Sequence, residues 1–242
     1  MKVLGYIPLH YGAEYLEQAI KSIAPVCDKI IVLYTKTPSY GHTTDIECPE
    51  QEWQLKFIAL NASEKVEWKS YNRFAYEGHH RSEIFKFTEG YDMMVTVDAD
   101  EVWDTQSLRQ ALEDASLLDN RHIQVNGFVH FWKSFNTICK DGFLPVRIHN
   151  LKSSNEVQGC VNGTIYHFGY AQKDEIMIYK WMIHGHQNEL RPGWMEKYIN
   201  WTKGENDVHP VAIGIWNPEP FDKENLPDSL KEHENYNKED IS

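Results

Sequence analysis

The first 35 residues contain two apolar runs separated by a segment with helical spacing, and this pattern constrains the fold most. Residues 3–9 and 30–34 are short and mostly apolar, which is typical of buried strands. The segment between them places four apolar side chains on one helical face: Leu16, Ala19, Ile20 and Ile23. A strand, a helix and a strand within this length form a βαβ unit, whose strands pair in parallel through a right-handed crossover. The sequence therefore predicts an α/β fold built on a parallel sheet.

The remaining elements extend this pattern into two parts. In the first part we expect, in chain order, a strand at 55–60, a helix over about 71–88, a strand beginning at 93 and a helix over 105–115. The second part is richer in aromatic residues. Its segments 122–132 and 143–149 predict a mixed or antiparallel extension of the sheet.

The domain organisation follows from length and composition. A chain of 242 residues favours one large domain over two small ones. We predict a single domain over residues 1–216, with a first half at 1–104 and a second half at 105–216. Residues 217–242 are dominated by Asp, Glu, Lys, Asn and Pro and offer little to bury. They are interpreted as an acidic, solvated tail, with a docked segment as the alternative.

An apolar strand that stops at three carboxylates is the main chemical feature of the chain. Residues 93–103 run from paired methionines through β-branched residues to Asp98, Asp100 and Glu101. In open parallel sheets, ligands bind outside the carboxyl ends of the strands, where these acids would emerge. Carboxylates two positions apart suit Mg²⁺ or Mn²⁺, which binds one or two acids while substrate phosphates complete its shell. The alternative is an acidic turn that only caps the helix at 105–115.

Composition and missing motifs narrow the function further. The net charge of −12 argues against broad attraction to nucleic acid or anionic lipid. The chain has no Gly-x-Gly-x-x-Gly after its first strand, no phosphate-binding loop ending in Gly-Lys-Ser/Thr, and no Gly-x-Ser-x-Gly. The sequence therefore does not support dinucleotide binding, P-loop chemistry or serine hydrolase chemistry.

Cysteine spacing and hydropathy bear on the cellular compartment. The four cysteines are widely spaced without a Cys-x-x-Cys pair, so we expect free thiols rather than a zinc site or disulfides. Strand-like sequence begins at Lys2, which leaves no room for a signal peptide, and no apolar run reaches the length of a membrane span. We therefore expect a cytoplasmic protein without a transmembrane segment.

Several short pieces, taken in order, resemble one group of enzymes. They are Tyr6-Ile-Pro-Leu-His with Glu14, Arg81 upstream of Glu89-Gly-Tyr-Asp, Val97-Asp-Ala-Asp-Glu, Tyr166-His-Phe-Gly-Tyr followed by Lys180, and Val208-His-Pro-Val-Ala-Ile. Residues 2–213 thereby resemble the nucleotide-sugar-dependent glycosyltransferases of the GT-A fold, in particular glycosyltransferase family 2. The resemblance implies a Rossmann-like, mostly parallel sheet flanked by helices.

The resemblance also implies a reaction and a metal. It implies transfer of a sugar from a UDP- or GDP-type donor to a hydroxyl group on an unidentified glycan, lipid, small molecule or nucleic acid. In the catalytic motif Asp98, Asp100 and Glu101, it makes Asp100 the direct ligand of Mn²⁺ or Mg²⁺. Asp98 would reach the ribose or a metal-bound water. His167 would complete the metal shell, although a packed strand residue is the alternative.

Further residues are implied to hold the donor. Pro8, His10 and Glu14 would lie beside the nucleoside, and Arg81 and Lys180 would face the diphosphate. The alternatives are a strand terminator for Pro8, a first-turn helix acid for Glu14 and surface positions for Arg81 and Lys180. Two reserve metal ligands, His184 and His186, flank a glycine that could equally mark the end of a helix.

Two features depart from the family pattern, and two other functions stay open. The segment after the second strand, Tyr34-Thr-Lys-Thr-Pro-Ser, lacks the acidic residues that hold the base and ribose in many members. The sequence contains no motif that identifies the general base. The candidates are Asp141, Glu156, Asp174 and Glu175. The alternatives are a sugar-phosphate nucleotidyltransferase and a carbohydrate- or nucleotide-sugar-binding protein without turnover. Four tryptophans are interpreted as core residues, with stacking on sugars or bases as the alternative: Trp132, Trp181, Trp194 and Trp201.

Overall fold

Two compact units make up the chain in the computed structural model, which describes residues 1–38, 47–140, 142–184, 187–211 and 215–240. The first unit contains the described residues of Met1–Gly41, Glu50–Phe128 and Phe143–Tyr166. The second contains the described residues of His42–Pro49, Val129–Gly142 and His167–Ser242.

The strands and helices begin and end as follows. The strands are β1 (Val3–Leu9), β2 (Lys29–Thr35), β3 (Val66–Tyr71), β4 (Met93–Thr96), β5 (Glu101–Trp103), β6 (His122–Trp132), β7 (Thr137–Cys139), β8 (Val146–Asn150), β9 (Gln158–Tyr170) and β10 (Glu219–Pro220). The α-helices are α1 (Ala13–Ile23), α2 (Glu52–Ala62), α3 (Glu77–Glu83), α4 (Thr105–Ser116), α5 (Asp174–Ile183), α6 (Trp194–Ile199) and α7 (Asp228–Lys231). Short 3₁₀ helices lie at Ile84–Phe87, Gln187–Glu189 and Lys223–Asn225.

The sheet of the first unit has a parallel part and an antiparallel part. In the parallel part the strand order is β3, β2, β1, β4. β8 then pairs antiparallel with β4, and the first residues of β6 pair antiparallel with β8. This confirms the predicted fold class, an α/β fold whose central sheet is mostly parallel and flanked by helices, with an antiparallel extension.

Both faces of the central strands are covered, which explains why β1, β2 and β4 are mostly apolar rather than alternating. On one face, Ile7 and Leu9 of β1 belong to a core cluster that includes Leu16 and Ile20 of α1. On the other face, Leu4 and Tyr6 of β1 join a cluster that includes Phe74 and Ile84. The first strand is thus packed on both of its faces.

Two predicted elements of the first unit are wrong. Residues 55–60 lie inside α2, and the third strand is β3 instead. The apolar run of α2 imitates a strand because Trp53, Phe57 and Leu60 are exposed apolar residues (69%, 67% and 46%), so the helix shows no clean polar face. The long helix expected over about 71–88 is shorter, since α3 is followed by a 3₁₀ helix.

The second unit is built around aromatic side chains. The last residues of β6 pair antiparallel with β7, and β7 pairs antiparallel with β10. Its core contains the four tryptophans singled out in the sequence and a fifth, Trp216, all buried. The interpretation of these tryptophans as core residues is confirmed.

In its described residues, 217–240, the segment predicted as a solvated tail is docked instead. β10 pairs with β7, and the Phe221 ring lies 5.1 Å from that of Phe131. Leu226 and Leu230 are 3% and 0% exposed. The polar composition misled because a few well-spaced apolar residues suffice to dock a segment against an aromatic core. The division into a domain at 1–216, with halves at 1–104 and 105–216, stays a prediction.

Two further expectations concern cysteines and membranes. The four cysteines lie among the described residues and none of them is paired in a disulfide; Cys27 and Cys139 are buried and Cys160 is exposed. Among the described residues, none of the helices has the length and apolar character needed to cross a bilayer.

Candidate functional site

The three motif acids lie in a tight turn at the carboxyl end of β4, which we call the acid turn (residues 98–101). The backbone N–H of Glu101 donates to the carbonyl of Asp98 at 3.0 Å and closes the turn. The N–H of Asp98 in return donates to Oε2 of Glu101 at 3.2 Å. Asp98 and Asp100 are partly exposed, whereas Glu101 is buried at 1% exposure. The expectation that acids emerge at this strand end is therefore correct for two of the three and wrong for Glu101.

The loop after β1 packs directly on the acid turn. Gly12 has φ of +130°, and a Cβ built on it would lie 2.6 Å from the Cβ of Ala99, so any side chain would displace the turn. The backbone N–H groups of Gly12 and Ala13, which open α1, donate to Oε2 of Glu50 at 2.5 and 2.9 Å. Because β1 and β4 are parallel neighbours, their ends bring the loop and the turn together.

Arg81 binds the acid turn from α3. Its Nε donates to Oε1 of Glu77 at 2.6 Å, and its Nη2 lies 3.0 Å from Oδ1 and 3.2 Å from Oδ2 of Asp98. The neighbouring Asp98 carboxylate raises the pKa of Arg81, so its guanidinium is charged at any working pH. Arg81 is therefore paired with the motif while its side chain is 36% exposed, and its role toward a diphosphate stays a prediction.

Arg147 of β8 binds two acids of the turn, and sequence reasoning missed it. Its Nε lies 2.8 Å from Oε2 of Glu101, and its Nη2 lies 2.5 Å from Oε1 of Glu101 and 3.0 Å from Oδ2 of Asp98. Its side chain is only 11% exposed. The available signal was a lone arginine between apolar residues in the predicted strand at 143–149, because a buried arginine requires an acidic partner.

Burial and ion pairing act in opposite directions on Glu101. Burial raises the pKa of Glu101 to about 7, while the Arg147 guanidinium lowers it and Asp98 raises it. The two-point contact with Arg147 requires the ionised carboxylate, so we take the pair as charged.

The capping alternative for the motif acids is also wrong. Helix α4 is capped by Asp104, whose Oδ1 accepts from the N–H of Ser107 at 2.7 Å. None of the acids of the turn is used for that purpose. The motif is therefore left for another role.

The other residues predicted near the nucleoside lie around the end of β1. Pro8 lies inside β1 opposite Leu33, so it does not end the strand. His10 Nδ1 donates to the carbonyl of Thr35 at 2.8 Å, and burial lowers the pKa of His10. Glu14 lies in the first turn of α1 and is partly buried. Their roles in donor binding stay predictions.

His167 and Lys180 belong to the second unit and lie close to each other there. A Cβ at Gly169 would touch the His167 ring and lie 3.0 Å from Nζ of Lys180. Nδ1 of His167 lies 2.9 Å from Nδ1 of His130, so one ring donates and the other accepts. Lys180 Nζ donates to the carbonyl of Gly169 at 3.0 Å. Their roles toward a metal and a diphosphate stay predictions.

The reserve residues are only partly described. His184 caps the end of α5, as the glycine signal allowed, and its ring centroid lies 4.4 Å from that of Trp181. His186 and Asp141 lie outside the described residues. The three other candidate bases are described. Glu156 pairs with His122, Asp174 pairs with Lys133, and Glu175 is exposed on α5.

The acid turn fits one particular kind of metal site. Within the described ranges, no group of three or more His, Cys, Asp or Glu side chains is placed to hold an ion by itself. Both oxygens of Asp98 accept from arginines, and Asp100 is partly exposed at the same strand end. A hard cation held by one or two carboxylates and by phosphate oxygens of a ligand is compatible with this donor set.

Comparisons with known proteins were made at the level of sequence and structure. No protein-family model and no curated protein matches this chain. Among solved structures it is similar to glucosyl-3-phosphoglycerate synthase from Mycobacterium tuberculosis with Mn²⁺, UDP-glucose and phosphoglyceric acid (TM-score 0.39, 14% identity, 52% of this chain and 43% of that one). It is also similar to residues 1–349 of TarS from S. aureus (TM-score 0.42, 14% identity, 76% of this chain and 65% of that one).

A third similar structure is a mycobacterial protein, with a TM-score of 0.39 and 14% identity over 53% of this chain and 41% of that one. The chain therefore spans between 41% and 65% of the length of these three structures.

Proposed function

We propose that this chain is a metal-dependent glycosyltransferase that moves a sugar from a nucleoside-diphosphate donor, of UDP or GDP type, to a hydroxyl group. The acceptor class is open between a glycan, a lipid, a small molecule and a nucleic acid. The proposal combines the resemblance of the sequence motifs with the position of the acid turn.

The observation that carries the proposal is the charge around the acid turn at the carboxyl end of β4. Four carboxylates and two guanidiniums lie there, with a formal charge of −2: Glu77, Asp98, Asp100, Glu101, Arg81 and Arg147. One divalent cation offsets this charge, and a diphosphate supplies the remaining oxygen ligands. The carboxyl ends of parallel strands are also where open α/β sheets bind ligands.

Each residue then has a chemical task. Asp100 would hold Mn²⁺ or Mg²⁺, and Asp98 would reach the ribose or a metal-bound water. When bound, the cation stabilises the negative charge that develops on the departing diphosphate. His167 would add an imidazole ligand to the metal, and Lys180 a positive charge for the diphosphate.

One observation disfavours the nucleotidyltransferase alternative. Such an enzyme would use a Gly-rich basic loop after its first strand to hold phosphates. Here the N–H groups of Gly12 and Ala13 already donate to the Glu50 carboxylate, which would repel a phosphate at that point. The non-catalytic binding protein remains the second candidate.

Incubation with UDP- and GDP-sugars, in Mn²⁺ and in EDTA, separates these functions. A glycosyltransferase hydrolyses one donor slowly without acceptor, and only with the metal. A binding protein shifts the melting temperature with the same donor but releases no sugar. Pyrophosphate release from a nucleoside triphosphate and a sugar phosphate would instead indicate the nucleotidyltransferase.

A further inference from the structure

We propose that Arg147 is a positioning residue that fixes the shape of the acid turn through Glu101 and Asp98, so that Glu101 is a buried counter-charge rather than a catalytic acid. This inference rests on the proposed function for its consequence in metal binding. Its structural part can be tested without any ligand.

The geometry of the contact supports a fixed arrangement. Arg147 meets Glu101 through Nε and Nη2 at 2.8 and 2.5 Å, which is the two-point contact of a planar guanidinium with a carboxylate. The same Nη2 reaches Oδ2 of Asp98 at 3.0 Å. One guanidinium thereby connects the first and last residues of the acid turn.

Burial shields the pair from most of the solvent. The side chains of Glu101 and Arg147 are 1% and 11% exposed. The Phe128 ring lies 5.9 Å from the guanidinium carbon and covers part of it. A pair shielded in this way keeps its geometry, whereas an exposed ion pair exchanges with water.

Asp98 is held from two sides. Arg81 contacts it from α3 at 3.0 Å and Arg147 contacts it from β8 at 3.0 Å. Its charge is therefore shared with two guanidiniums, and Asp100 of the same turn is partly exposed. Arg147 acts on the metal indirectly, since it sets the backbone that carries Asp100.

The test needs a variant that folds. Arg147→Met alone leaves the Glu101 carboxylate buried without its counter-charge and would lower stability strongly. The double variant Arg147→Met with Glu101→Gln removes both charges, and the new amide oxygen can still accept from the N–H of Asp98. Arg147→Lys tests the two-point contact, because an ammonium group keeps the positive charge but cannot contact both oxygens in the same way as a guanidinium. Arg109→Met, at an exposed arginine of α4, is the matched control.

Hydrogen exchange of the ligand-free protein is the first measurement. In the double variant, a peptide covering residues 96–103 should exchange about 10-fold faster or more, while peptides from α1 stay unchanged. The exchange rate of this peptide in Arg147→Lys should lie between those of the wild type and the double variant. Arg109→Met should exchange at the wild-type rate. Wild-type exchange in the double variant would overturn the proposal, whatever the protein's function.

Titration with Mn²⁺ and UDP is the second measurement. The double variant should bind Mn²⁺–UDP about 10-fold more weakly than wild type, the scale on which outer-shell partners act on metal sites. Faster exchange with unchanged Mn²⁺–UDP affinity would make Arg147 structural only and refute its positioning role. Failure of the wild type to bind any metal–nucleotide pair would refute the proposed function, while the exchange result would still decide whether Arg147 holds the turn.

Discussion

Truncating one buried side chain near the C-terminus tests whether the segment after Asn217 belongs to the folded protein. Leu230 of α7 is 0% exposed, and its N–H donates to the carbonyl of Pro227 at 2.9 Å. Leu230→Ala removes buried methyl groups and leaves a cavity, which costs about 2–5 kcal/mol in protein cores. Because α7 spans only the four residues Asp228–Lys231, its neighbours can relax, and we expect a loss of about 2–3 kcal/mol.

Urea unfolding followed by tryptophan fluorescence measures this loss, since the aromatic core of the second unit contains five tryptophans. Leu117→Ala is the matched control, because Leu117 is 85% exposed and should change stability by less than about 0.5 kcal/mol. If both variants unfold at the same urea concentration, the segment is not docked and the account of the second unit is wrong.

Two further predictions concern histidines. Burial lowers the pKa of His80 to about 4 in the folded protein, below the value of 6.5 in the unfolded chain. The neutral ring therefore contributes its full share of folding stability above pH 6.5, and this share is lost as the pH falls toward 4. Between pH 7 and pH 4.5 the wild type should therefore lose about 2–3 kcal/mol more folding stability than His80→Gln, as measured by urea unfolding. Equal losses in the two proteins would contradict the buried neutral ring. His167→Ala should weaken Mn²⁺ affinity about 10-fold and His184→Ala much less, by calorimetry with UDP present. The reverse order would move the proposed ligand to His184.

The parts of the fold that could be predicted are those with local causes. The apolar spacing within each segment predicts β1, α1 and β2. The two strands contribute residues to the core clusters on both faces of the sheet, which agrees with their continuous apolar runs. The prediction of a strand at 55–60 was wrong because Phe57 and Leu60 are apolar but exposed. The apolar run of α2 therefore did not reveal which face of the helix is buried. In that case tertiary packing, rather than local pattern, decided the element.

The candidate site shows the same division. Asp98 and Asp100 could be placed from the sequence because a strand end fixes where they emerge. Arg147 could not be assigned to them, because its partner Glu101 lies 46 positions away and only the pairing of β8 with β4 brings the two together. Buried charge pairs between distant segments leave no spacing signal.

The central claim is that the acid turn binds a divalent cation together with a nucleoside diphosphate. Calorimetric titration of UDP and GDP, with and without Mn²⁺, tests it most directly in wild type, in Asp100→Ala and in Asp92→Asn. Asp92 is the matched control, since it precedes the opposite end of β4 and accepts from the N–H of Lys2. The account predicts Mn²⁺-dependent binding of one nucleotide in wild type and Asp92→Asn, and its loss in Asp100→Ala with unchanged unfolding. Equal Mn²⁺-dependent affinity in Asp100→Ala and wild type would contradict it.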